Sequence, residues 1–172
     1  MNRNRAKTVV VTSGVMVLAT VGRLAAEYIV PPADERVSHA HVIVVGTLRN
    51  VVSEVRDGFD YDIGVIEVAT VLAGDVKPGD RLKIQWTNAT EITCPRTGHP
   101  RAQEKLALWL LDSPEDGVYR GGFPEYTIVL SDSPTLGSFQ RELHAAALKG
   151  ELAPTVARVA EFVKSRGWSR AR

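Results

Sequence analysis

Two β-rich runs joined by an Asp-Gly turn constrain this chain more than any other feature. The first run, His41-Val-Ile-Val-Val-Gly-Thr-Leu48, is too short and too rich in β-branched residues to prefer a helix. Val51, Val52 and Val55 continue it or form a bend after it. Arg56-Asp57-Gly58-Phe59-Asp60 supplies the turn. The second run, Tyr61 to Leu72, reads as a long strand. Its rows Val65, Glu67, Ala69 and Ile66, Val68, Thr70 suit opposite faces.

The punctuation downstream is similar. Residues 73–80 are rich in Gly, Pro and Asp and read as a turn. Leu82 to Trp86 alternates apolar and polar, as a half-buried strand does. Residues 87–104 read as an irregular loop. Leu106-Ala-Leu-Trp-Leu-Leu111 is unbroken and apolar, the pattern of a strand buried on both faces. A turn over residues 112–117 precedes short strands at Tyr119 and at Tyr126–Leu130. After Ser133-Pro134 the period changes. Leu136, Phe139, Leu143 and Ala147 mark one helix that ends at Gly150, and Leu152, Val156, Val159, Phe162 and Val163 mark a second. About five strands followed by two helices predict a small β-barrel or a strongly curved sheet with helices packed on it.

The strand and turn residues resemble bacterial extracytoplasmic OB-fold-like barrels, similar to tissue inhibitors of metalloproteinases and netrin modules. The resemblance rests on Ala40–Leu48, on Ile66–Asp75 with Gly79-Asp80 after it, on Cys94 before Lys105–Leu111, and on Gly117-Val-Tyr119. It spans residues 39–130. It implies an OB-like β-barrel of about five antiparallel strands. Inhibitory members chelate a protease zinc with a disulfide-tethered N-terminal Cys-x-Cys. Cys94 is the single cysteine here, so that activity does not carry over.

The ends of the chain differ in charge from its middle. Residues 1–7 carry three basic side chains and no acid, and residues 8–22 carry no charge. This pattern reads as a secretory signal peptide, with cuts after Gly22 or Ala26, or as an uncleaved anchor using residues 8–30. Either reading predicts export to the periplasm, the extracellular space or the outer face of the cytoplasmic membrane. The expected segment is a signal peptide or, if uncleaved, a transmembrane helix that associates with the membrane through residues 8–30. Residues 27–148 hold 11 basic and 18 acidic side chains, which argues against nucleic acid as a partner. Residues 149–172 hold six basic and two acidic side chains, on a helix whose complete apolar face predicts packing on the barrel.

Candidate chemistry is sparse. His39 and His41, two apart on a strand, would present both imidazoles to one ion, and His99 would add a ligand for zinc. Cys94 and His99 are five residues apart, the residue types of a thiol nucleophile and its base. Glu54, Asp57, Asp60 and Asp62 cluster at the hairpin tip and offer oxygen ligands of the kind calcium takes. Each has a plainer reading: polar residues at a strand start, a loop thiol tucked into the barrel, and turn carboxylates. No Gly-x-Ser-x-Gly elbow or glycine-rich phosphate loop occurs. The expected organisation is a signal or anchor at 1–30, a linker at 31–38, a barrel at 39–132 and a helical segment at 133–172. The expected role is binding a protein or envelope component, without catalysis and without a required cofactor. Metal binding through His39, His41 and His99, or a Cys94/His99 enzyme, are the alternatives.

Overall fold

The computed structural model describes residues 30–87, 102–120, 126–150 and 152–166. Strands β1 (Val42–Arg56) and β2 (Phe59–Ala73) form a long antiparallel hairpin. Asp57 and Gly58 join them with φ of 51° and 80°. Both angles lie in the left-handed region, which makes a two-residue type I′ turn and explains the Asp-Gly pair. Then follow β3 (Arg81–Thr87), β4 (Leu106–Leu111), β5 (Val118–Arg120) and β6 (Thr127–Val129). Helix α1 (Ala33–His39) precedes the strands; α2 (Ser133–Lys149) and α3 (Pro154–Ser165) follow them.

The six strands form one mixed sheet in the order β5-β3-β2-β1-β4-β6. Every neighbouring pair is antiparallel except β3 and β5. A short connection forces this sheet to curl. In a flat sheet β4 and β5 would stand four strand spacings apart, about 19 Å. The register also offsets them along the strands, because Val118 stands level with Lys83, Val65 and Arg49, whereas Leu111 stands level with Val42. The flat diagonal from Leu111 to Val118 would be about 30 Å. The chain between them reaches about 24 Å fully extended, and the Asp116-Gly117 turn takes up part of that reach. The sheet therefore bends into a half-barrel, consistent with a generic OB-like fold.

The expectation of five antiparallel strands closing a barrel is corrected here. β5 runs parallel to β3, and a sixth strand is present. That sixth strand also explains the open seam: β6 occupies the edge of β4 along Ala107–Trp109, which a closing strand would otherwise pair with.

The curl gives the sheet two apolar faces. On the concave face Val42, Val44, Leu48, Ile66, Ile84, Trp86, Ala107, Trp109 and Leu111 pack together. On the convex face Ile43, Val45, Leu108, Leu110 and Ile128 pack against Leu136, Phe139 and Leu143 of α2 and Val156, Val159 and Val163 of α3. From Ala107 to Leu111 the apolar run of β4 is thus buried on both sides, as its unbroken pattern predicts, and only Leu106 at its start is exposed. Trp109 donates its indole N–H to the carbonyl of Gly46 at 3.0 Å. A Cβ on Gly46 would lie 2.6 Å from the Glu67 carbonyl oxygen, so β1 and β2 approach there as closely as glycine allows.

The helix expected from Ser133-Pro134 begins at Ser133, and Asp132 caps it: its carboxylate accepts from the Thr135 backbone N–H at 3.5 Å and hydroxyl at 3.1 Å. One local expectation needs amendment. Residues 33–38, expected within the linker, are helical together with His39, which was expected to open the barrel. Pro32 at the N-cap of α1 has no side-chain oxygen, and Glu142 of α2 accepts from the Ala33 N–H at 3.1 Å instead. The same Glu142 oxygen pairs with the buried Arg36 guanidinium at 3.1 Å, and that guanidinium sits over the Phe139 ring, 5.1 Å from its centre.

The expected transmembrane helix, and membrane association through residues 8–30, are also corrected. Among the described residues no helix is long and apolar enough to cross a membrane. The longest, α2, has 17 residues and carries Arg141, Glu142 and Lys149, whereas a span takes about 20 apolar residues. Residues 1–29, where the signal or anchor was expected, lie outside the described residues.

Trp109→Ala should lower stability by about 3–5 kcal/mol, because a fully buried ring and its hydrogen bond are lost together. Leu148→Ala, at a side chain 76% exposed on α2, should change stability by about 0.5 kcal/mol or less. Urea midpoints of the two variants check both values.

Candidate interaction site

His39 and His41 do not share a strand face. His39 is the last residue of α1, and His41 lies just before β1, with Ala40 as the extended cap between them. Both are exposed, and the backbone N–H of His41 donates to the Leu111 carbonyl at 2.8 Å. Cys94 and His99 lie outside the described residues. The described chain leaves the sheet at Thr87, opposite Tyr61, and re-enters at Ala102, buried in the concave core.

The four carboxylates at the hairpin separate by face. In the β1–β2 register Ser53 stands opposite Asp62, Glu54 opposite Tyr61, and Val55 opposite Asp60. Successive residues of a strand point to opposite sides. Ser53, Val55, Asp60 and Asp62 therefore share the concave side with Trp86, and Glu54 and Arg56 share the convex side with Tyr61. Asp57 is in the turn. The cluster expected from spacing is thus divided between two surfaces. Among the described residues no group of three or more His, Cys, Asp or Glu is placed to hold a metal ion.

Two of these acids have defined partners. Asp62, only 6% exposed, accepts a hydrogen bond from the Ser53 hydroxyl across the hairpin. That bond satisfies a polar group that burial would otherwise penalise. Glu54 pairs with Arg56 two residues on, and Arg56 also donates to the Gln85 side-chain carbonyl at 3.3 Å. Farther along, Arg49 pairs with Glu67 at 3.5 Å and with Glu104.

Beside the exposed polar residues Ser53, Arg56, Asp57 and Asp60, the hairpin also exposes apolar side chains. Val52, Val55 and Phe59 are 58%, 71% and 55% exposed, half of the large apolar side chains left exposed among the described residues. They lie beyond the reach of β4, whose pairing with β1 ends at Thr47 opposite Leu106. Leu48 bridges to Gln103, and past that point the outer edge of β1 pairs with no described residue. A bulge follows Arg49, where Asn50 has a φ of 52°, and the ribbon from Val51 to Ile63 continues past it as an arm. The valines of this arm, expected to continue the strand or form a bend after it, lie in β1. The missing signal was the point at which β4 stops covering them.

One titrating group is displaced. Burial on the concave face, and behind it the charge of Asp80, pushes the Tyr119 hydroxyl above its ordinary 10.0. Asp80 precedes β3 and Asp62 faces Trp86 near its far end, so this group stands apart from the arm. The comparisons add no relative: no protein-family model matches the chain, and no curated protein matches it.

Asp62→Ala should lower stability by about 0.5–1.5 kcal/mol, because the hydrogen bond that this buried carboxylate accepts from the exposed Ser53 hydroxyl is lost. Asp60→Ala, at an exposed position beside it, should cost about 0.5 kcal/mol or less in the same urea titration. The raised Tyr119 has a signed consequence for alkaline pH. Its unfolded form loses the proton first, so stability is intact below 10.0 and falls as pH rises from there through the folded value. Tyr119→Phe should flatten that fall, read as urea midpoint against pH.

Proposed function

We propose that this chain is an exported interaction domain, with no catalytic role of its own, that binds protein through the β1–β2 arm. The observation that carries this reading is the arm: a two-stranded ribbon whose outer backbone edge pairs with no described residue, with exposed Val52, Val55 and Phe59. Exposed edges with apolar side chains are uncommon in folded domains unless something pairs with them. Strand addition uses such an edge directly, with main-chain hydrogen bonds for affinity and alternate side chains for selectivity.

The wider reading is a barrel related to the OB-like extracytoplasmic domains. The β1-β2-β3 meander, β4 beside β1 and β5 beside β3 support it. Export is supported by the basic residues 1–7 ahead of the uncharged residues 8–22, read as a cleaved signal. The mature chain then carries the acidic middle segment, and its site of action is periplasmic or extracellular.

The test is a photo-activated cross-linking side chain placed at Val55, with Leu148 as the comparison. Val55 should give a discrete protein adduct in intact cells, and Leu148, more exposed but on α2, should not. Equal adducts from both positions, or none from Val55, would overturn the reading. Mass analysis of the N-terminus of the native chain should find a start after Gly22 or Ala26; an intact Met1 in the cytoplasmic fraction would refute export.

A further inference from the structure

We infer that the outer edge of β1, unpaired past Leu48 among the described residues, pairs with the same edge of a second copy of this chain, in a two-fold antiparallel ribbon centred on Val55. This rests on the reading of the arm as the interaction site and names its occupant.

The backbone sets which residues can pair. In a two-residue hairpin the flanking pair, here Arg56 and Phe59, exchanges hydrogen bonds. By alternation Glu54 and Val52 turn their amides toward β2, and Val55 and Ser53 turn theirs to the outer edge. A two-fold antiparallel contact places one residue opposite itself, with directly opposed side chains on one face. With Val55 opposite Val55, the outward amides of the two copies meet each other. Glu54 of each copy then stands opposite Arg56 of the other, and this happens twice.

Charge selects this register from its neighbours. Centring the contact on Glu54 or on Arg56 opposes two like charges. Centring it on Ser53 sets Glu54 opposite Val52 and runs the pairing into the bulge at Asn50. Only the Val55 centre is complementary throughout. An edge guarded solely against aggregation carries charges that repel a copy of itself. Here an acid and a base stand two residues apart, so two copies attract. Glu54 and Arg56 already pair within one strand, with side chains 38% and 49% exposed. Pairing across copies re-aims side chains and leaves the backbone where it is. The contact also covers Val55, the most exposed apolar side chain of the arm.

The test uses the full-length chain purified from cells that export it. Sedimentation should show a concentration-dependent monomer–dimer equilibrium. Arg56→Glu should weaken the dimer by about tenfold or more, since Glu54 then faces an acid in both places. The double exchange Glu54→Arg with Arg56→Glu should restore it to within about threefold. In a Cys94→Ser background, Val55→Cys should cross-link under mild oxidation, because opposed residues of a hydrogen-bonded pair lie about 5.5 Å apart, within disulfide reach. Leu148→Cys should not. Urea midpoints of all variants should match the parent, which separates lost pairing from lost folding. A chain that stays monomeric at every concentration, a charge exchange that restores nothing, or equal cross-linking from position 148 would overturn self-pairing. If the chain is monomeric and Val55 still gives an adduct with another protein, the arm reading stands without the second copy; if Val55 gives no adduct at all, both fail.

Discussion

The fold depends on a short stretch of β1 that is enclosed from both sides. Val42, Ile43, Val44 and Val45 are each at most 1% exposed, and alternation sends them in turn to the concave and convex cores. No other segment contributes to both cores so completely except β4, its hydrogen-bonded neighbour. Burial of this pair accounts for the order of the other elements. β2 must lie on one side of β1 and β4 on the other, and three helices are needed to cover the convex side. The valine-rich first run is therefore the centre of the sheet, not an outer strand.

That centrality also explains what was legible beforehand. Strands carrying regular alternation or an unbroken apolar run, such as Ile66 to Val68 and Leu106 to Leu111, were readable because burial imposes the pattern locally. The Asp57-Gly58 turn was readable because two consecutive left-handed residues demand that chemistry. The faces of α2 and α3 were readable by period, with Ala147 alone turned outward. Helix α1 was not legible. Seven residues are too few to be stable alone, Pro32 offers no capping oxygen, and the group that caps it is Glu142, 109 residues away. β5 and β6, three residues each, owe their state to the strands they pair with.

The geometry of the described candidate residues was not legible for a related reason: spacing along a chain says nothing about side until the local structure is known. Glu54, Asp57, Asp60 and Asp62 look convergent in one dimension, yet pairing across the hairpin sends them to two faces and a turn. His39 and His41 look like strand neighbours, yet a helix ends at one and a strand begins after the other. The apolar residues of the arm were visible, but their exposure depends on where β4 stops. That boundary is set by the curl of the sheet, a property of six strands together.

The open seam and the outer arm edge, unpaired among the described residues, have a common origin. β4 is six residues long, against fifteen for β1 and β2, so it can cover only the first part of β1. Its other edge is taken by β6, which prevents closure at the far side. A closed barrel would need a longer β4 or an unoccupied edge on it. The long hairpin is thus half structural and half projecting. Val42 to Leu48 hold the core, and Val51 to Arg56 extend past it with their backbone edge uncovered by any described strand. The bulge at Arg49–Val52 marks the change from one role to the other, because an inserted residue both ends regular pairing and increases the local twist. Shortening the arm would leave both cores intact, since none of their fully buried residues lies between Val51 and Asp62. The core places no requirement on the arm, so packing within the described domain accounts for neither its length nor its exposed Val52, Val55 and Phe59.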